Sequence, residues 1–217
     1  MTTLTFRLHK LFNEKRRFSF PFSQQKKEIP QNGIYIIFED RETFGDFDRI
    51  VRVGTHTGNK RLRSRLNQHF VKENKNRSIF RKNIGRCVLN KDKSPYLPLW
   101  ELDTTSKAAK ERNLTRLDLN FEGQIEKRIS DYIQGNLSFC VFQVDTKEQR
   151  LRWERKIVST LAKSNELKSS NNWLGNHSTK EKIRESGLWQ VNELYNDELT
   201  EQEFEDLRKL ALDGLTI

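Results

Sequence analysis

The sequence predicts an α+β fold: a small central sheet, mainly antiparallel, flanked by helices. Three observations carry that prediction. Two short apolar segments on either side of a glycine turn, Gly33 to Glu39 and Arg49 to Val53, read as a hairpin. A third apolar run, Leu137 to Val144, is continuous and rich in aromatic and β-branched residues. Between and beyond these strands, apolar residues recur three and four positions apart, the helical period.

Taken in order, residues 1–28 read as an N-terminal extension. Leu4, Leu8, Leu11 and Phe12 share one face of a short helix, and Phe18, Phe20 and Phe22 then alternate, with Pro21 arguing against a central strand. Ile29-Pro30-Gln31-Asn32-Gly33 is a turn, and Phe44-Gly45-Asp46 turns the hairpin. A helix is predicted over 59–73, followed by a basic stretch, 77–93, with a short helix around Ser78 to Lys82. Residues 94–121 hold Pro95, Pro98 and a charged helix at 106–116, and read as an insertion. A helix near 122–134 leads into the third strand, and a longer one over 146–163 follows. Residues 165–180 are a polar loop; 181–217 form a helical tail whose last helix opens on the capping box Thr200-Glu201-Gln202-Glu203. The organisation is thus one main domain over 29–180 with an extension, an insertion and a tail.

The composition fits such a domain. Only 34% of the residues are hydrophobic and 32% are charged, which demands a large wetted surface, while 14 Phe and 4 Trp supply a compact interior. No apolar run is long enough to span a bilayer, and Met1-Thr2-Thr3-Leu4 lacks a signal-peptide layout, so the cytoplasm is the expected compartment. Cys87 and Cys140 make neither a disulfide framework nor a zinc set; apolar neighbours mark both as buried thiols. The net charge of +10 is segregated. Residues 49–93 carry 14 Lys and Arg against Glu73 and Asp92, whereas 193–217 carry eight acids against Arg208 and Lys209. A polyanionic partner explains a basic excess confined to one segment; a solvated helical surface is the plainer alternative.

Three side-chain placements suggest chemistry. On the helix at 59–73, Leu62, Leu66 and Phe70 form an apolar stripe beside a second stripe of Arg61, Arg65 and His69, so Arg65 and His69 emerge at the edge of a buried seam. On the helix at 146–163, Glu154 sits amid Leu151, Ile157, Val158 and Leu161. A carboxylate there needs a cation: either Arg150, one turn earlier, or a divalent metal. Tyr35 occupies the opposite strand face from Ile34 and Ile36 and shares the sheet with Arg52, a cation that would favour the phenolate and so a general base.

Gly33-Ile34-Tyr35, then Arg52-Val53-Gly54-Thr55-His56, then the Arg65/His69 helix, together resemble the core of the GIY-YIG nucleases over roughly residues 29–175. The first family motif is intact. The second, usually Tyr-Ile-Gly, reads Arg52-Val53-Gly54, with a cation in place of the tyrosine; some restriction enzymes of the family carry a lysine there. The resemblance assigns the catalytic arginine to Arg65, the histidine to His69 and the metal-ligating glutamate to Glu154. It assigns the late supporting asparagine to Asn172, with Asn171 as the alternative, and leaves His56 lining the site.

What the resemblance implies is hydrolysis of a DNA phosphodiester with one Mg2+ or Mn2+ held by Glu154. A type II restriction-type endonuclease acting on double-stranded DNA as a homodimer is the reading favoured. A mobile-element or repair nuclease of looser specificity, or an inactive nucleic-acid-binding module, are the alternatives. Candidate DNA contacts are Lys60, Arg61, Arg63, Arg77, Arg81 and Lys82.

Overall fold

A computed structural model describes residues 2–212; among these the fold is a four-stranded antiparallel sheet between two helical layers. Helix α1 (Leu4–Asn13) is capped by the Thr3 hydroxyl, which accepts from the Phe6 N–H. Strand β1 (Phe18–Ser19) is brief, stopping short of Pro21. Strands β2 (Gly33–Phe44) and β3 (Phe47–Gly54) form the predicted hairpin, both longer than the apolar pattern alone suggested. Helix α2 (Leu62–Phe70) is shorter than 59–73, because Lys60 takes a left-handed backbone (φ 56°) and the chain becomes helical only after Arg61.

Helix α3 (Ile79–Lys91) has 13 residues where a short helix at 78–82 was expected. Buried Arg81, Asn83 and Arg86 broke its apolar period and disguised it. Helices α4 (Leu97–Trp100) and α5 (Lys107–Asn113) occupy the insertion, which is not peripheral. Trp100 is fully buried, and a Cβ on Gly85 would lie 2.4 Å from its ring, so only glycine lets α3 pack there. Helix α6 (Leu119–Asn136), strand β4 (Leu137–Gln143), helix α7 (Lys147–Ala162), the short α8 (Glu181–Ser186) and α9 (Glu201–Leu212) follow. The tail expected over 181–217 is described only as far as 212.

Strand order is β1-β4-β2-β3, which puts the Gly33-Ile34-Tyr35 strand in the middle. The pleat of β2 sorts its side chains. Tyr35 and Ile37 face one core with Leu62, Leu66, Phe70, Phe80, Ile129 and Trp189. Ile34, Ile36 and Phe38 face the other with Leu8, Phe12, Trp153, Ile157, Leu199 and Phe204. Residues of the extension and of the tail therefore build the same cores as residues 29–180, and no packing boundary falls at 28 or 180. Cys87 and Cys140 are buried and free, with thiols pushed up to about 12 by desolvation.

One irregularity aims the site. Ile37 pairs with Arg52 but Phe38 with Ile50, so Val51 is the extra residue of a bulge. Arg52 consequently shares the Tyr35 face of the sheet. Beyond this bulge the outer edge of β3 is covered: the Trp189 N–H donates to the Val51 carbonyl (2.7 Å), and Arg49 donates to the Gly187 carbonyl.

Candidate active site

The site gathers at the end of the hairpin where β2 begins and β3 stops. Gly33 and Gly54 are both required there. A Cβ on Gly33 would sit 2.2 Å from the Phe142 carbonyl oxygen, and one on Gly54 would sit 2.2 Å from the Tyr35 hydroxyl. Glycine at 54 thus gives the phenol oxygen its place beside the end of β3. Tyr35 is 1% exposed, and its hydroxyl stands 2.9 Å from Nε2 of His69, which is fully buried on α2. Nδ1 of His69 lies 2.7 Å from the Ser78 hydroxyl. Desolvation, then the guanidinium charges of Arg65, Arg52 and Arg81, hold His69 well below its ordinary 6.5, so the ring is neutral.

Arg52 is buried against the Phe80 ring (5.0 Å to the centroid) and donates through Nη1 to the Trp189 carbonyl; its Nε has no partner among the described residues. Arg65, one turn before His69, is half-buried and donates to the Gln68 amide oxygen (3.2 Å) and the Arg77 carbonyl (3.1 Å). Glu154 comes from α7 to the same place. Arg65, Gln68, Arg61, Thr55, His56, Leu151 and Glu154 line one open cleft of about 440 Å³. Tyr35 does not line it; its hydroxyl lies directly behind Gly54, next to Thr55.

Glu154 is pushed up to about 7, chiefly by desolvation and also by Glu193, against the pull of Arg52, the Thr55 N–H and Arg65. The ion pair with Arg150 does not form. Arg150 is 1% exposed and donates instead to the carbonyls of Asp145 (2.6 Å), Val144 and His56 (both 3.3 Å). Glu154 is thus a carboxylate in the cleft wall without an ion pair among the described residues. Among those residues no three His, Cys, Asp or Glu side chains stand close enough to share a metal. One carboxylate nevertheless fits Mg2+ or Mn2+, which keep several waters and take the rest of their shell from substrate phosphate.

Other expected site residues are placed differently. Both nitrogens of His56 are occupied: Nδ1 lies 2.6 Å from the Gly58 carbonyl, and Nε2 accepts from the Gly33 N–H at 3.3 Å. Its ring braces the turn after Gly54, and only its outer face touches the cleft. Asn172 is a correction. It lines a separate groove with Asp40, Arg41 and Tyr132 at the opposite end of β2, because Ser170 and Trp173 on either side are bound to Glu42 and Glu39. Asn171 belongs to that loop as well; its carbonyl accepts from Asn176.

Arg81 is a second correction. It is fully buried, with Nε and Nη2 on Glu126 (2.9 and 2.7 Å) and Nη1 on the His69 carbonyl (3.2 Å), and cannot reach DNA. Lys82 is tied to the Glu101 carbonyl (2.9 Å), and Arg63 to the carbonyls of Ile29 and Lys27. Lys60, Arg61 and Arg77 remain exposed. Sequence reasoning missed Ser78, Thr55 and the 187–193 segment. Of these Ser78 alone carried a local signal, a serine three residues before the buried face of a helix.

The family model described as a GIY-YIG domain matches residues 3–213. Among curated proteins and among solved structures nothing matches. With the motif glycines, the tyrosine, the arginine–histidine helix and the glutamate found around one end of one sheet, and with the match running through extension, insertion and tail alike, the chain belongs to the GIY-YIG family, whose nuclease-type function on nucleic acid it shares.

Proposed function

We propose that the protein is a divalent-metal-dependent endonuclease that cuts double-stranded DNA, of the type II restriction kind. The observation that carries the reading is the cleft in which Arg65 and Glu154 face the same volume, with the Tyr35–His69 pair directly behind Gly54. Arg65 is the phosphate ligand: its guanidinium is half-exposed to the cleft, and it stabilises the extra negative charge of the five-coordinate phosphorus. Tyr35 is the base that takes a proton from the attacking water through a relay, since its hydroxyl lies behind Gly54, with neutral His69 bonded to the same oxygen. Glu154 would hold Mg2+ or Mn2+, which when bound neutralises charge on the leaving 3′ oxygen. Lys60, Arg61 and Arg77 are exposed around this end of the molecule and suit phosphate contacts on either side of the scissile bond. One cleft cuts one strand, so a double-strand break calls for a homodimer on the DNA.

Plasmid incubated with the protein, with Mg2+ and with Mg2+ plus chelator, tests this directly. Discrete fragments that vanish with chelator are expected. Nicked circles or a smear would leave a nuclease of looser specificity, and a gel shift without cutting in any divalent metal would overturn the enzymatic reading.

A further inference from the structure

The chain of contacts behind the cleft runs Tyr35 hydroxyl, His69 imidazole, Ser78 hydroxyl, and its hydrogen atoms can be counted. The phenol, the neutral ring and the serine carry one each, for two contacts of 2.9 and 2.7 Å. One hydrogen must therefore point out of the chain, either from Tyr35 or from Ser78. Tyr35, at 1% exposure, and Ser78, fully buried, equally lack water to donate to, so the choice rests on the bonds of Ser78. It is also the N-cap of α3: its oxygen accepts from the Arg81 N–H at 3.2 Å, at the positive end of a 13-residue helix. A hydroxyl hydrogen turned toward that helix end meets an N–H and a positive potential, whereas one turned toward Nδ1 meets a lone pair.

We propose that Ser78 is a positioning residue that donates to Nδ1 of His69 and so fixes the ring as its Nε2–H tautomer, making His69 a donor to the Tyr35 oxygen. The hydrogen left over is then the phenolic one, beside Gly54; once it is removed, the oxygen keeps the Nε2–H bond. Without the Ser78 hydroxyl the ring is free to carry its proton on Nδ1, and Tyr35 becomes the donor, a poorer base. The charged groups around the ring, Arg65 on its own helix, Arg52 on β3 and Arg81 on α3, all oppose a second proton, so neither tautomer is replaced by an imidazolium.

This inference rests on the nuclease reading for its kinetic consequence but not for its tautomer. The chain has only 4 His, so 15N NMR of the ring nitrogens is resolvable in the whole 217-residue chain. An Nε2–H pattern for His69 is expected, and an Nδ1–H pattern would overturn the proposal whether or not the protein cuts DNA. In cleavage assays, Ser78→Gly keeps a tolerated N-cap and removes the hydroxyl, while Ser78→Thr keeps both. Ser78→Gly should lower kcat about tenfold near neutral pH and move the rate–pH profile about one unit higher, with KM unchanged, one unit being a tenfold change in the ionised fraction. Ser78→Thr should restore both. A Ser78→Gly protein with the wild-type profile would refute the assignment, as would a loss confined to thermal stability.

Discussion

The two ends of strand β2 carry equally polar machinery and use it in opposite ways. At the far end, Glu42 takes Nε and Nη2 of Arg49 (2.9 and 2.6 Å) together with the Ser170 N–H and hydroxyl. Glu39 takes the indole N–H groups of Trp173 and Trp189 (both 2.9 Å) and the Tyr132 hydroxyl. Every donor in this Glu39–Glu42 network has an acceptor, as a buried polar network must to be tolerated. At the near end the accounts are open: among the described residues Arg52 Nε lacks a partner and Glu154 lacks an ion pair, and the Tyr35–His69–Ser78 chain holds one hydrogen more than its two contacts use. Saturated polar groups fix a loop onto a sheet; the unsaturated ones lie at the wall of the cleft or directly behind it. The number of charges does not separate the two ends. Their degree of satisfaction does.

Exchanging single residues between these categories should break stability at one end and activity at the other. Glu154→Gln removes a desolvated carboxylate that has no ion pair among the described residues, so cleavage should fall by about a thousandfold or more with the melting temperature unchanged or raised. Arg49→Ala strands the Glu42 carboxylate in the core and should cost about 3–5 kcal/mol in urea unfolding. The folded fraction should still cut DNA near the wild-type rate. If Arg49→Ala abolished cutting in fully folded protein, or Glu154→Gln melted the domain, the division between the ends would be wrong.

Acid should expose the frame rather than the cleft. His9 is fully buried on α1, with Nδ1 2.8 Å from the Thr5 carbonyl and Nε2 accepting from the Ile50 N–H. Burial, with a small further push from Arg49, takes it down from 6.5 to about 4, against the Thr5 carbonyl. The unfolded chain therefore binds this proton first. The contribution of neutral His9 is complete above pH 6.5 and is lost as pH falls toward 4, about 3 kcal/mol in all. Glu154, pushed up, acts with the opposite sign over an overlapping range, so the wild-type curve alone mixes the two. The measurable quantity is the difference: His9→Gln should lose about 3 kcal/mol less than wild type between pH 6.5 and 4 in urea titrations. Equal losses would mean that His9 is not held neutral by the fold.

What could be read from the sequence was whatever a local period encodes. The Leu62, Leu66, Phe70 stripe fixed which way α2 faces, and with it the places of Arg65 and His69; the pleat of β2 did the same for Tyr35, and the apolar face of α7 for Glu154. What could not be read depended on partners far along the chain. Arg81 looks like its exposed neighbours until Glu126, 45 residues later, is seen to hold it. The bulge that turns Arg52 toward Tyr35 leaves no mark in the apolar pattern. Nor does the segment from Gly187 to Glu193, which closes the edge of β3 with one backbone bond from Trp189 and supplies the carbonyl that holds Arg52.

Asn172 is the sharpest instance, because it was assigned by its order along the chain and its amino-acid type alone. Tethers on both sides decide its position: the Ser170 N–H on Glu42 at 3.0 Å and the Trp173 indole on Glu39 at 2.9 Å draw the whole loop to the saturated end of β2. Its side chain borders a groove shared with Asp40, Arg41 and Tyr132, none of which lines the Arg65–Glu154 cleft. Asn172→Ala should therefore leave kcat within about twofold of wild type, the size of an ordinary surface substitution. Cleavage rates measured beside Ser170→Ala separate two outcomes. A stability loss in Ser170→Ala without a rate loss in either variant fits a loop that is frame. A hundredfold rate loss in Asn172→Ala would mean that the loop swings to the cleft when DNA binds, and that the two ends of the strand are not independent.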